Sequence, residues 1–327
     1  MDTHNLFSGF DSTIRLNTSK VTWLKKSRKA LRDKILKHFK DNVWGTPTFY
    51  SQGSFPLDTN LNPIKVETED GEIKEPYDLD DGVYFTCSES DRKLPTTYHD
   101  RIKKAVDGHA ESVVDKTTCV RVVFKDGHHI DLPSYWLEKE GETPQLAHTT
   151  KGFIESDPKA FKIWVDSKIS TAASNGQLRR VIRYLKAWKN FRETKNSSLI
   201  LPSGFILTIL ACSYFSRNDR DDLSLKETVE SIEAALKASF SCFRPTVPTD
   251  EDLLPSYSKD TLLTRLSGLV KNAGKAIDAE SEKEASEYWR KEFGDRFPLG
   301  KEKDEAGKST KNSVILTTSV SKPFGHD

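Results

Sequence analysis

Residues 78–82 read Asp-Leu-Asp-Asp-Gly and lead into the apolar run Val83-Tyr84-Phe85. Side chains alternate along a strand, so Asp78 and Asp80 share one face while Leu79 points into a core. Two adjacent carboxylates repel each other unless a cation sits between them. Magnesium, a hard ion that prefers oxygen ligands and substrate phosphates, suits such a pair, with manganese as the alternative. Upstream, a short strand expected over residues 48–52 delivers Gly53 and Ser54. Glycine permits close backbone approach to a phosphate, and the serine adds a hydroxyl donor. Taken alone, an Asp-x-Asp pair also fits a solvated strand end.

A third acid changes the balance. Val120 to Phe124, a Lys125-Asp126-Gly127 turn and His129 to Pro133 have the pattern of a hairpin. Its second strand carries Asp131 between two apolar residues, where an unpartnered carboxylate is costly. Asp78, Asp80 and Asp131 are therefore candidates to hold two magnesium ions roughly 3.5–4 Å apart. His128 and His129 stand near this site, with a solvated turn and metal binding both open as explanations.

With these residues in view, the chain resembles the cGAS/DncV-like nucleotidyltransferases of bacterial anti-phage defence. The likeness rests on Gln52-Gly53-Ser54-Phe55, Asp58-Thr59, Asp78 to Gly82 and His129 to Pro133. It continues through Ser156 to Lys159 and Leu178 to Trp188, covering roughly residues 20–275, and is nearest to the cyclic GMP-AMP synthases of the family. The resemblance implies an α+β fold, with a polymerase-β-like mixed-sheet lobe, a mainly helical second lobe and the active site between them. It implies Asp78, Asp80 and Asp131 as catalytic, metal-holding residues, and Gln52, Gly53, Ser54, Asp58, Arg121, Lys186 and Ser203 as nucleotide-binding ones. Lys186 and Ser203 match the family's triphosphate-binding lysine and serine. Arg121 matches an arginine facing the nucleotide, although a salt bridge to one of the acids serves equally well. ATP and GTP become the expected substrates, two magnesium ions the cofactors, and a separate effector protein the reader of a cyclic dinucleotide product. Leu57 departs from the pattern, because the nearest relatives carry an aromatic residue there. That leaves the bases of the product open.

Two rivals remain. One is a template-free polymerase acting on RNA ends, which needs a basic track. The other is a non-catalytic nucleotide-binding scaffold, against which the three acids argue. The formal net charge of the 327-residue chain is only +1, so no overall field draws it to nucleic acid or to an anionic membrane. Neither is expected as a partner, and a cytoplasmic monomer is expected, since no leader or membrane-length apolar run is seen. Cys87, Cys119, Cys212 and Cys242 lack metal-binding spacing and read as reduced core thiols.

Along the chain, residues 1–18 show no periodicity and are expected to form a partly ordered arm. The catalytic lobe is expected over 19–155, the helical lobe over 156–299 and a flexible tail over 300–327. Apolar spacing predicts helices over 19–40, 98–114, 160–169, 177–192, 203–215, 225–240 and 260–285. The first of these carries a basic stripe from Lys25 to Lys40, read as a solvated face. Residues 60–75 are expected as a connector and 134–151 as a surface excursion. Tyr50 and Tyr257 are the aromatic residues expected to face the cleft.

Overall fold

The strand that carries the first two acids is β4 (Asp78–Thr86), and the sheet is assembled around it. In the computed structural model, which describes residues 1–67, 70–172 and 174–302, β4 pairs with three other strands. β1 (Thr48–Gln52) runs antiparallel to it, while β7 (His129–Leu132) and β8 (Ser134–Leu137) run parallel, joined through Pro133. β6 (Val120–Val123) and β5 (Ser112–Asp115) extend the sheet beyond β7, and β9 (Gln145–His148) and β10 (Gly152–Glu155) extend it beyond β8. The mixed pairing leaves one face of β4 for helices and the other for the site.

Two helices cover the first face. α2 (Thr18–Asp41) buries Leu24, Leu31, Ile35 and Phe39, and α3 (Pro95–Val106) buries Tyr98, Ile102 and Val106. They pack on Leu79, Val83 and Phe85 of β4 and on Ile130 of β7, giving a core of strict strand alternation against helical stripes. Asp81 lies on this same face, fully buried. Arg32 on α2 grips it through both carboxylate oxygens, at 2.6 and 2.5 Å, and Ser51 of β1 donates a third bond at 2.8 Å. Arg28, one turn earlier, bonds Ser51 at 2.7 Å. The basic stripe is therefore divided: Lys25, Lys26, Lys29, Lys34, Lys37 and Lys40 are exposed, whereas Arg28 and Arg32 turn inward as structural ligands.

The second core is helical. It is built by α4 (Pro158–Thr171), α5 (Gln177–Lys195), α6 (Gly204–Tyr214), α7 (Asp221–Ala238), α8 (Lys259–Asp278) and α9 (Glu282–Phe293). Asp157 caps α4 by accepting from Ala160 N at 2.9 Å, with Pro158 at the first turn. Among the described residues, no helix is long and apolar enough to cross a membrane.

Several expectations are corrected. Residues 1–18 are not a partly ordered arm: α1 (His4–Ile14) buries Phe7, Phe10 and Ile14 completely inside the helical core. Its three buried apolar residues sit at i, i+3 and i+7, a pattern hidden by its shortness. The helix predicted over 98–114 stops at Val106, because Gly108 adopts φ +65° and residues 112–115 join the sheet edge. Residues 134–151 are no surface excursion, since β8 is buried along its whole length and pairs with β9. A strand covered on both faces loses the alternation that would have announced it. The connector at 60–75 contains a small hairpin of β2 (Val66–Glu67) and β3 (Ile73–Lys74). The helix predicted over 260–285 is two, with Ser281 capping α9 through a 3.1 Å bond from Glu284 N. The tail expected at 300–327 lies, from residue 303 onward, outside the described residues.

Phe7 packs edge-on against Tyr184, Trp289 and Phe297 at centroid separations of 4.9, 4.8 and 5.0 Å. Phe7→Ala is expected to lower the unfolding free energy by about 3–5 kcal/mol, the cost of emptying such a site. Chemical denaturation followed by tryptophan fluorescence checks this; an unchanged midpoint would show that α1 is dispensable to the lobe.

Candidate active site

Strand register brings the acids together. Asp80 lies opposite Gln52 of β1 on one side and Asp131 of β7 on the other, and Asp131 lies opposite Arg121 of β6. Directly opposed residues project to the same face. Gln52, Asp80, Asp131 and Arg121 thus form one row across four strands, on the face away from α2 and α3. Asp78 begins a second row, opposite His129.

At the end of β1 the chain turns tightly over this row. Gly53 adopts φ +70°, and a Cβ built on it would lie 2.2 Å from Asp80 Oδ2. Only glycine satisfies both the backbone angle and the contact. The turn closes with Thr59 N donating to Ser54 O at 3.0 Å, and Asn60 Nδ2 donates to the Asp78 carbonyl at 3.0 Å. Asn60 thereby ties the turn to the start of the acid strand.

The helical lobe faces this floor across a cleft of about 370 Å³. Gly53, Asp78 and Asp80 lie on one side, and Lys186, Asn190 and Phe205 on the other. Lys186 Nζ reaches across to donate to Thr59 O at 2.7 Å. Burial pushes its pKa down to about 8, with Asp78 and Asp80 pulling the other way. Gly204 lets Lys186 pass, since a Cβ there would meet Lys186 Cε at 2.9 Å.

Charge is unevenly balanced along the acid row. Burial holds Asp80 well above the usual carboxylate range, and the neighbouring Asp78 and Asp131 push it further. Asp131 has found its own counter-charge: Arg121 holds both its oxygens, Nε and Nη2 each at 2.7 Å. That bond raises the Arg121 pKa. Burial, and then Arg121, lower the pKa of His129.

The donor set is all oxygen, and a divalent cation beside Asp78 and Asp80 would offset the desolvation of Asp80 that Arg121 and Lys186 offset only in part. The chemistry fits. The full three-acid set is nevertheless not drawn together as a ready-made metal cage, because among the described residues no group of three such side chains is so gathered. Arg121 occupies the oxygens that Asp131 would contribute.

Other expected site residues stand off the cleft wall. Gln52 keeps its place in the row but donates from Nε2 to Tyr135 Oη at 2.9 Å, outside the cleft lining. Asp58 turns outward with φ +56° to pair with Arg15 at 2.6 Å, while its carbonyl accepts from Arg183 at 2.6 Å. It braces the turn and does not line the cleft. Ser203 caps α6 through a 3.4 Å bond from Ile206 N. Tyr50 packs with Tyr84 and Tyr135, and Tyr257 against the helical core, so neither lines the cleft. His128 belongs to the other face, stacked on Phe124 and bonded to Ser27 of α2. Leu57 does line the cleft. The sequence reading missed Asn60, Tyr77, Phe161, Asn190 and Phe205. For Asn190 a signal existed, since it follows Lys186 by four residues on one helix face. The aromatic walls gave none beyond ordinary core spacing.

Comparison with known proteins agrees with this fold. Residues 47–135, which span β1 through the start of β8, match the family model described as cyclic GMP-AMP synthase DncV-like, nucleotidyltransferase domain. A cyclic GMP-AMP synthase of Escherichia albertii is 25% identical over 197 residues, covering 56% of this chain and 42% of that protein. This chain therefore accounts for less than half the length of that relative. A cyclic GMP-AMP synthase of Vibrio cholerae is 25% identical over 311 residues, covering 77% of this chain and 68% of that protein. In three dimensions, the Vibrio cholerae DncV cyclic AMP-GMP synthase superposes with a TM-score of 0.76 at 18% identity, over 91% of this chain and 97% of that one. The shared architecture is the polymerase-β-like nucleotidyltransferase fold.

Gly53→Ala is expected to displace the Asp80 carboxylate and to add backbone strain of about 1–2 kcal/mol. Divalent-ion binding should weaken with little loss of secondary structure, measured by titration calorimetry and circular dichroism. Wild-type ion affinity in this variant would show that the turn does not set the position of Asp80.

Proposed function

We propose that this chain, a nucleotidyltransferase whose residues 47–135 match the DncV-like nucleotidyltransferase domain, condenses nucleoside triphosphates into a cyclic dinucleotide and releases pyrophosphate. Cyclic GMP-AMP is the product favoured by the names of its relatives, with 3′,3′ linkages taken from the family resemblance, and ATP and GTP are the corresponding substrates. A role in anti-phage signalling through a separate effector follows from the family resemblance. The observation that carries the reading is the opposition of Asp78 and Asp80 to Lys186 across one cleft, with Gly53 against Asp80.

Each residue then has a task. The Gly53-Ser54 turn offers backbone and hydroxyl donors to the triphosphate, and Lys186 places a compact positive charge against its outer phosphates. Ser203, which caps α6 next to the cleft-lining Gly204, would join that grip only by turning its hydroxyl away from Ile206 N. Asp78, Asp80 and Asp131 would hold magnesium, or manganese, which when bound neutralises charge on the reacting phosphates. The 3′-oxygen of the second nucleotide attacks the α-phosphorus, the bond from that phosphorus to the bridging oxygen breaks, and pyrophosphate departs. Asp131, once released from Arg121, would take the hydroxyl proton. A second attack after the linear dinucleotide rebinds closes the ring. Most of the rate comes from positioning and charge neutralisation.

The RNA-end reading loses support from the position of the basic stripe. The exposed lysines lie on α2, which covers the face of β4 opposite the acid row.

Incubation with all four nucleoside triphosphates and magnesium, followed by mass identification, should yield a cyclic dinucleotide. Asp78→Asn should lower the rate by about 100-fold or more without shifting the melting temperature downward. Extension of an RNA primer, or undiminished synthesis by the variant, would overturn the reading.

The Lys186 ammonium is charged below about pH 8 and neutral above it. Triphosphate affinity of the metal-free protein should therefore fall as pH rises through 8, while Lys186→Arg should keep it level. Equilibrium dialysis across pH 6.5–9.5 checks this; a level wild-type profile would remove Lys186 from the phosphate site.

A further inference from the structure

We propose that Arg121 is a positioning residue that keeps Asp131 out of the metal site until a nucleotide phosphate arrives to take the guanidinium. This inference rests on the nucleotidyltransferase reading of the cleft and adds a control on how its metal centre is completed.

Three observations support it. Asp131 is in register with Asp80 on the site face, so the sheet itself points it at the other acids. Yet both its oxygens are engaged by Arg121, at 2.7 Å each, in the paired geometry that makes guanidinium–carboxylate contacts strong. Finally, Asp78 and Asp80 have no such partner, and among the described residues no three acids gather as a cage. The site is thus split into two acids poised for a cation and one acid already neutralised.

The lock is built to be opened. The Asp131 side chain is 11% exposed, so leaving it bare is costly, but the Arg121 side chain is 30% exposed and reachable from solvent. A phosphate presents the same two-oxygen edge as a carboxylate and carries more charge. When a nucleotide phosphate captures Arg121, Asp131 loses its counter-charge beside two other carboxylates. A second cation is then the remaining way to balance the row. Metal and nucleotide are thereby coupled: the protein alone binds divalent ions weakly through two acids and strongly only once nucleotide is present. His129, Asp78 and Asp80 are the other titratable groups facing this pair, and Cys119 lies beside it.

The test reads metal binding and not catalysis. Free Mn²⁺ is counted by electron paramagnetic resonance as wild-type protein, Arg121→Gln and the double variant Arg121→Gln/Asp131→Asn are titrated without nucleotide. Removing the clamp should tighten Mn²⁺ binding by roughly 10-fold, and the double variant should return to the wild-type value. Addition of GTP should tighten wild type far more than Arg121→Gln. Arg121→Lys, which keeps the charge but not the paired bond, serves as the variant if Arg121→Gln melts early, and should fall between the two. Equal or weaker Mn²⁺ binding on removal of the clamp, or a gain that survives loss of Asp131, overturns the proposal. Synthesis of a cyclic dinucleotide by wild type together with that result would sink the clamp alone. Tighter Mn²⁺ binding in a protein that makes no such product would keep the clamp and sink the activity.

Discussion

The buried ion pair between Arg32 and Asp81 holds the site in place from behind. Asp80 and Asp81 are consecutive, so one strand sends a carboxylate to each face of the sheet. Asp81 is completely buried, and its two oxygens are taken by Arg32 and by Ser51. This binds α2, β1 and β4 at one point, directly beneath the row where Asp80 faces the cleft. A pair this deep gives little net stability relative to apolar packing, but losing either partner strands a charge. Its effect is to fix which way the strand faces: a slip of one residue would put Asp80 against Arg32 and hydrophobic Leu79 into the cleft.

The cleft shows how the two lobes share one task. The sheet lobe supplies acids on a rigid strand, and the helical lobe supplies Lys186 on a rigid helix. The Ser54–Asn60 turn joins them, bonded to the acid strand through Asn60 and to α5 through the Lys186 bond to Thr59. Arg183, one helical turn before Lys186, adds a second brace. It pairs with Asp11 of α1 at 2.7 Å and donates to the Asp58 carbonyl at 2.6 Å. Sites whose parts sit on regular elements and whose loops are bonded to both sides lose little freedom on binding.

Much of this was legible in the sequence, for physical reasons that also mark the limit. Asp78, Asp80 and Asp131 could be placed because strand alternation assigns a face without any knowledge of neighbours. The Lys125-Asp126-Gly127 turn and the Asp157-Pro158 cap were readable because turn and cap chemistry is local. What failed depended on partners far away. β8 is buried on both faces, so Tyr135, Trp136 and Leu137 carry no alternation. α1 is too short for a period to stand out, and only the helical core reveals that Phe7 and Phe10 are interior. Asp58 was aligned with nucleotide-binding positions, but Arg15 and Arg183 claim it, and no local pattern announces a long-range salt bridge. Arg121 was left between a nucleotide contact and a salt bridge. The structure shows the salt bridge to Asp131.

The placement of α1 bears on how the polypeptide reaches its native state. Thr3 accepts a hydrogen bond from Trp289 at 3.1 Å, so the first few residues meet partners at the opposite end of the chain. Between them lies the whole sheet lobe, whose own core closes within residues 16–153. During synthesis the sheet lobe has all of its partners long before α1 does. α1 must therefore wait for α5 and α7, and its enclosure is complete only once Trp289 and Phe297 have been made. Such long loop closure is the slow kind of contact, so α1 is enclosed only after the sheet lobe that follows it in sequence.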